Sequence, residues 1–543
     1  MKDENERLEK AMAAGLLKKF WIYSKMSGPG WLQAAVTLGG GSLAGSLYLG
    51  VIGGYSLLWL QPLAMICGVI MLGALAYMTL SMKQSPYEAV CKHITPVLAW
   101  AWLVATVVVD CIFCPAQSAL GQGIVEQNFG LDPGSPFLVT VPMALCCLAV
   151  VFFYALGSKG VSIFENILKI MVGIVILCFF GAATVHFFSG SVQLTHVLKG
   201  YIPDFTALFS PAASLEQSID DTGPYAGQWR ELISSTQRNI IIGSFGAVVG
   251  VNMALLLPYT IKKKGWGRRH RELSRYDLFC GLALPFMLAV SLLVVTGAAQ
   301  FHNQSTDILD ENGKPKALAG EYYSMLEKRA RFEVVQLPAG EEEKRALLDQ
   351  LPIADRKLAA SLTKRDAGQL AMAITPLVGS RPAQLIFGVG IFAMALSTMI
   401  VHMLINGFAI SQAVGKPGKL IPFMIGAATP ALTAALSPVL WSGASKAAMQ
   451  IPAGITATVL LPIAYLIFFL LMNSKKSLGE DMPRGGKRIM VNVAMLFSLF
   501  VAGFAATWAL HGRGDVFGTV GIVLLVAMAV TGLLSFLWKE KHG

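Results

Sequence analysis

The chain is a succession of apolar stretches, at 28–52, 56–81, 95–122, 134–156, 161–188, 237–261, 277–300, 383–412, 420–440, 449–474, 489–511 and 515–538. Each is near the length of about 20 residues that carries a helix across a bilayer. Inside hydrocarbon the backbone must pair its own N–H and C=O groups, and a continuous apolar run does so as an α-helix. An all-α integral membrane protein of about twelve transmembrane helices follows. With 55% hydrophobic and 14% charged residues the chain is too apolar for a soluble globular protein.

The net charge of +11 does not point to nucleic acid, because it lies largely in short loops between apolar runs. Lys83 and Lys92, Lys262 to Lys264 with Arg268 and Arg269, Lys416 and Lys419, and Lys475, Lys476, Arg484, Lys487 and Arg488 follow the second, sixth, eighth and tenth stretches. In a twelve-span count these loops share one side. Lys159 agrees with them, and the loops at 123–133 and 441–448 on the other side are nearly free of Lys and Arg. The positive-inside rule then puts both termini in the cytoplasm of a multi-pass protein of the plasma (inner) membrane. Residues 1–27 read as a cytoplasmic, interfacial segment; 28–300 as helices 1–7, with a first repeat at 28–188, an external loop at 189–236 and the start of a second repeat at 237–300. Residues 301–382 form an external polar insertion, 383–474 carry helices 8–10, and 475–543 carry helices 11–12. The insertion shows helical periodicity around Tyr322 to Arg331 and Glu341 to Leu351, so it reads as a small helical cap, with a solvated loop as the alternative. The eight cysteines lie almost entirely in apolar stretches, and no disulfide framework, cofactor or enzyme constellation is indicated.

Two of the apolar stretches are interrupted. Gly39-Gly40-Gly41-Ser42 places poor helix formers at mid-depth of the first. Gly250 and Asn252 fall in the middle of the sixth, with Pro258 beyond them. A freed backbone is tolerated at that depth only in protein or beside water, and paired broken helices in two halves mark the midplane site of inverted-repeat transporters. Glycine for close helix packing is the competing reading. Gln33 and Thr37 sit in the turns before the first break. Asp110 is the acidic side chain deep in the third stretch, and His402 lies one turn from Asn406 in the eighth. Cys111 and Cys114 form a CxxC that reads as packing.

Further residues carry a likeness to a known family. Gly28-Pro29-Gly30, then Gly54-Tyr55 with Leu57-Leu58-Trp59, open the series; Gly160, Phe164-Glu165, Gly200-Tyr201-Ile202-Pro203 and Gly246-Ala247 continue it. Pro376-Leu377-Val378, Ala395-Leu396-Ser397-Thr398 and the run Met472 to Gly479 complete it in order. The chain resembles the Nramp (natural resistance-associated macrophage protein) family of divalent metal transporters. The resemblance implies a LeuT-type fold, a 5+5 inverted repeat, here with two extra C-terminal helices. It also implies a metal site built on an Asp-Pro-Gly-Asn motif in the first helix and a Met-Pro-His motif in the sixth. By the flanking matches those positions hold Gly39, Gly40, Gly41 and Ser42, and Gly250, Val251 and Asn252. The carboxylate and the thioether are absent from them, so the metal ligands are unknown. The family's acidic pair of the third helix falls on Cys111 and Cys114, one residue past Asp110.

Substrate-binding residues are therefore expected at Gly39, Gly40, Gly41, Ser42, Gly250, Asn252, Thr37 and Gln33, and coupling residues at Asp110 and His402. Carbonyls with Ser42 and Asn252 suit a hydrated divalent cation such as Mg²⁺ rather than Mn²⁺ or Fe²⁺. Exposed N–H groups and helix N-termini suit an amino acid or small organic acid instead. A non-transporting receptor or scaffold on the same fold is a third reading. The expected partners are the lipid bilayer, a small solute or metal cation, and a proton or another coupling ion.

Overall fold

The computed structural model describes residues 2–156, 192–333, 336–365, 379–441 and 445–542, with scattered positions between 157 and 191 and between 366 and 378. The fifth apolar stretch, Lys159, Gly160, Phe164-Glu165 and Pro376-Leu377-Val378 lie outside the described residues or at their scattered edge. Among the described residues there is no strand.

Two short helices, α1 (Lys2–Met12) and α2 (Leu16–Met26), lead into the first broken span, α3 (Pro29–Thr37) and α4 (Gly40–Gly53), whose two pieces are bent by 52°. The spans α5 (Leu60–Ser81), α6 (Pro96–Gln127) and α7 (Phe137–Ala155) follow. The second broken span is α8 (Ala226–Gly246) and α9 (Val251–Lys263), and α10 (Arg268–Phe301) contains a π-helical turn at Phe279–Ala283. The insertion folds as α11 (Ala319–Ala330), α12 (Glu341–Leu348) and α13 (Ile353–Leu362). The spans resume with α14 (Ser380–Ala413), the shorter α15 (Leu420–Ala435), α16 (Gln450–Met472), α17 (Gly485–His511) and α18 (Val516–His542).

Packing places the broken spans at the centre. Every residue of α4 is buried, and it lies against α10 and α8. Helix α14 runs along α6 and α15, and α8 runs along α16. The α8–α16 crossing is a small-residue contact: a Cβ on Gly246 would fall 2.2 Å from the Gly454 carbonyl oxygen, and one on Gly454 would fall 2.1 Å from that of Gly243. Such approach lets dispersion and backbone contacts hold helices together where lipid supplies no hydrophobic drive. The last two spans lie outside this core. Phe500 on α17 and Phe517 on α18 are 72% and 76% exposed, a surface that is stable only against hydrocarbon.

The helices of the insertion are tied by a buried ion pair. Arg329 Nε donates to Asp355 Oδ1 at 2.6 Å, and the Trp229 indole N–H donates to the same oxygen at 2.6 Å. Both charged side chains are fully buried, and the Arg329 guanidinium covers the Tyr225 ring at 3.9 Å. Arg365 pairs with Asp307 at 2.9 Å and donates to the carbonyls of Ser361, Thr363 and Gln304.

At the opposite end of the molecule, Asp277 on α10 holds the start of α3. Its carboxylate accepts from the backbone N–H of Gly28 at 3.0 Å and of Gly30 at 2.6 Å, and from the Ser27 hydroxyl. It thus occupies the N–H groups that a helix N-terminus leaves unpaired. Ion pairs from Lys19 to Glu272 and from Arg268 and Arg271 to Asp481 surround it.

Candidate functional site

The two breaks meet. Helix α3 stops at Thr37 and α4 starts at Gly40, with Gly39 extended between them; α8 stops at Gly246 and α9 starts at Val251, with Gly250 extended. Three successive glycines weaken helix continuation at the first break. Ser42 turns its hydroxyl back onto the Thr37 carbonyl of its own break and lies 3.4 Å from the Ala247 carbonyl of the other. Between the breaks is a cavity of about 20 Å³ whose wall includes Gly41, Ser42, Gly250, Asn252, Met253 and His402. That is room for about one water molecule.

Behind this wall is a second layer. Asp110 Oδ1 accepts from the Asn252 amide at 2.7 Å and lies 2.7 Å from His402 Nδ1, so a proton on that nitrogen is donated to the carboxylate. The Asn252 oxygen accepts from the Met253 N–H at 2.9 Å, within the first turn of α9. The His402 ring stacks on Phe113. Asp110 Oδ2 is buried and has no hydrogen-bond partner among the described residues, a condition that costs about 1–3 kcal/mol unless a further group reaches it. On the other flank the Gly40 N–H donates to Gln117 Oε1 at 3.0 Å, and Gln117 donates to Gln450 at 3.2 Å. Below, Gln33 donates to the Met253 carbonyl at 3.1 Å, and the Thr37 hydroxyl reaches the Met253 sulfur at 3.4 Å.

Of the residues singled out in the sequence, Gly41, Ser42, Gly250, Asn252 and His402 thus line the cavity. Gly39 and Gly40, Thr37, Gln33 and Asp110 stand one layer back. The glycines also allow close packing: a Cβ on Gly39 would fall 2.6 Å from Thr398 Oγ1, and one on Gly40 would fall 2.7 Å from Gln117 Oε1. The triplet therefore both interrupts the helix and allows close packing. Asn406 does not pair with His402 but donates to Thr429 at 2.9 Å. Cys111 and Cys114 are free thiols. Met253, Gln117, Gln450 and Phe113 were not singled out in the sequence, and Thr398 stood out there only within a family-like run. Gln117 and Gln450 carried a signal, being polar side chains in apolar stretches, whereas Met253 is an apolar residue among many. Its sulfur restores a thioether to the site three residues after the position that lacks one. Among the described residues no group of three His, Cys, Asp or Glu side chains converges as a metal cluster.

A family model described as natural resistance-associated macrophage protein-like matches residues 30–326 and 357–507. The chain belongs to the Nramp family. It is 27% identical over 164 residues to the metal transporter Nramp3.2 of Populus trichocarpa, a match covering 30% of this chain and 31% of that protein. Its fold matches that of an Eremococcus coleocola manganese transporter, solved with an aromatic bis-isothiourea substituted compound, with a TM-score of 0.63 at 13% identity over 97% of this chain and 96% of the other. Mutant structures of that transporter match with a TM-score of 0.54. The gap between the two family-matched segments falls at 327–356, within the helical insertion. The expected LeuT-type membrane fold and the Nramp resemblance are borne out, and α17 and α18 are the two additional C-terminal helices.

Proposed function

We propose that this Nramp-family protein is a secondary-active transporter of a divalent metal cation, that the cavity between the two breaks is its substrate site, and that the cargo is a cation that keeps part of its water shell, such as Mg²⁺. The observation that carries this reading is the composition of the cavity wall. It offers the Ser42 and Thr398 hydroxyls and two side-chain amides beside one thioether and one imidazole that is held against Asp110, and no carboxylate lines it. Neutral oxygen donors suit a hard cation that dehydrates reluctantly, whereas Mn²⁺ or Fe²⁺ selection draws on softer or charged ligands. The Thr37 hydroxyl lies 3.0 Å from the Gln33 carbonyl and 3.4 Å from the Met253 thioether. That the relatives are named metal and manganese transporters supports a cation as cargo.

A cavity with room for one water does not hold a hydrated ion. Cargo therefore enters when the breaks separate, and alternating access follows from closure on each face in turn. One face is latched here by Asp277. Towards the other, Tyr48, six residues or roughly 9 Å along α4 from Ser42, lines a second and larger cavity beneath the insertion. We assign that face to the outside and the basic loops with the termini to the cytoplasm of the plasma membrane. Asp110 and His402 would carry the coupling proton, with Asn252 linking them to the cargo.

The test is uptake into proteoliposomes containing the full chain, with Mg²⁺, Mn²⁺ and a panel of amino and organic acids. Saturable Mg²⁺ uptake, reduced at least about tenfold by Asn252→Leu, is expected. Uptake of an acid and of no cation would overturn the cation reading in favour of the alternative that the helix N-termini at both breaks suggest. Transport of no solute would leave the receptor reading.

A further inference from the structure

We infer that the larger cavity, between the insertion and the ends of α4, α8 and α16, is a separate binding site for a small organic carboxylate, taken either free or as its divalent-metal chelate. This does not depend on the cargo assigned to the central cavity. The cavity has a volume of about 370 Å³, within the range of small-molecule sites.

Its charge is the first argument. Lys328 and Lys364 face it together with one acid, Glu321. Glu321 is already engaged, accepting from the Ser445 backbone N–H at 3.3 Å. Neither lysine has a hydrogen bond or ion pair among the described residues. Burial pulls the Lys364 ammonium below the ordinary lysine range; Glu321 opposes the shift and Lys328 adds to it. Two lysines stand against the single carboxylate of Glu321, and a ligand that brings an anion balances the excess positive charge. A bare divalent cation meets two like charges there, so the cavity is no simple funnel for cations.

Its walls are the second argument. The Asn239 side chain faces the cavity and makes no hydrogen bond among the described residues, leaving an amide free for a carboxylate oxygen. Trp441 supplies a flat wall whose indole N–H is spent on the Ser445 carbonyl at 3.0 Å, and Ile52, Ile240 and Ile451 complete an apolar side. Convergent polar groups at one side of an apolar pocket are how such sites fix a small molecule. A carboxylate on an organic body fits both sides, and a bare inorganic anion fits only one.

The experiment is isothermal titration of the full chain in nanodiscs with benzoate, citrate, the Mg²⁺–citrate complex and, as an uncharged control, benzamide. Saturable binding of at least one carboxylate, and none of benzamide, is expected. Affinity should fall at least about tenfold in Lys364→Gln and in Lys328→Gln, the loss of a charge-assisted hydrogen bond. It should be kept in Lys364→Arg, which reports on folding, and in Ser42→Ala, which alters the central cavity alone. Binding of citrate only with Mg²⁺ identifies the chelate, and binding of citrate or benzoate without metal identifies the free anion. No binding of any carboxylate overturns the site. Binding that Ser42→Ala abolishes and the lysine variants leave intact overturns it too, because the anion would then sit between the breaks.

Discussion

Asn252 walls the cavity with one face, takes the Met253 N–H of the first turn of α9 on its oxygen and donates its amide to Asp110. A cargo that draws on the Asn252 oxygen or turns the side chain alters the hydrogen-bonding of Asp110 and His402 in the same movement. Asp110→Asn keeps the shape and removes the charge, so it separates binding from coupling. Uptake driven by an inward proton gradient should fall about tenfold or more, while gradient-free cation exchange stays within a few-fold of the parent. Equal loss of both would show that Asp110 serves only the structure. At this scale the sequence was legible where polarity stood out against an apolar run, as at Ser42, Asn252 and Asp110. It was silent on Met253, because nothing local distinguishes the methionine that meets a break from those that fill the core. The partnership of Gln117 with Gln450 depends on residues 333 positions apart, which no local pattern encodes.

Among the elements, the contact that most constrains the bundle is α8 on α16. A methyl group on Gly246 would meet the Gly454 carbonyl and the Thr458 hydroxyl, each at 2.2 Å, and a backbone carbonyl yields only if the helices separate. Gly246→Ala should therefore lower the thermal midpoint of the detergent-solubilised protein, by an overpacking cost of about 1–3 kcal/mol. Gly503 on α17, with no atom within 4 Å of its would-be Cβ, should accept the same change without loss. The insertion offers a parallel case. Asp355→Ala would leave Arg329 with Glu333 as its remaining ion-pair partner and the Trp229 N–H unpaired, at a cost of about 1–3 kcal/mol. Limited proteolysis should then cut within 302–365 while the membrane helices stay intact. Broken spans were legible from glycine at mid-depth, and α11 and α12 from their periodicity. The helix Ile353–Leu362 and the π turn at Phe279–Ala283 were not, and the second answers to packing on α3 rather than to residue preference.

For the molecule as a whole, the two ends of the broken first span are treated differently. The α4 end opens beneath the insertion onto a cavity of about 370 Å³, while the α3 end is pinned by one carboxylate that takes two backbone N–H groups and a hydroxyl. Three hydrogen bonds to one buried carboxylate, each contributing about 1.5–3 kcal/mol as bonds to a charged group do, are enough to bias a two-state opening by several orders of magnitude. Removing them should release the α3 face without touching the breaks. Ala34 on α3 is fully buried, so a cysteine placed there in a background without the native thiols reports on that release. Ala34→Cys combined with Asp277→Ala should react with a membrane-impermeant maleimide at least about tenfold faster than Ala34→Cys alone, with Asp277→Asn between the two. An unchanged rate in a variant that keeps its thermal midpoint would mean that the surrounding pairs, Lys19 with Glu272 and Arg271 with Asp481, hold the face shut without Asp277. The latch would then be distributed over α2, α10 and the loop after α16, and opening would require all three to move together.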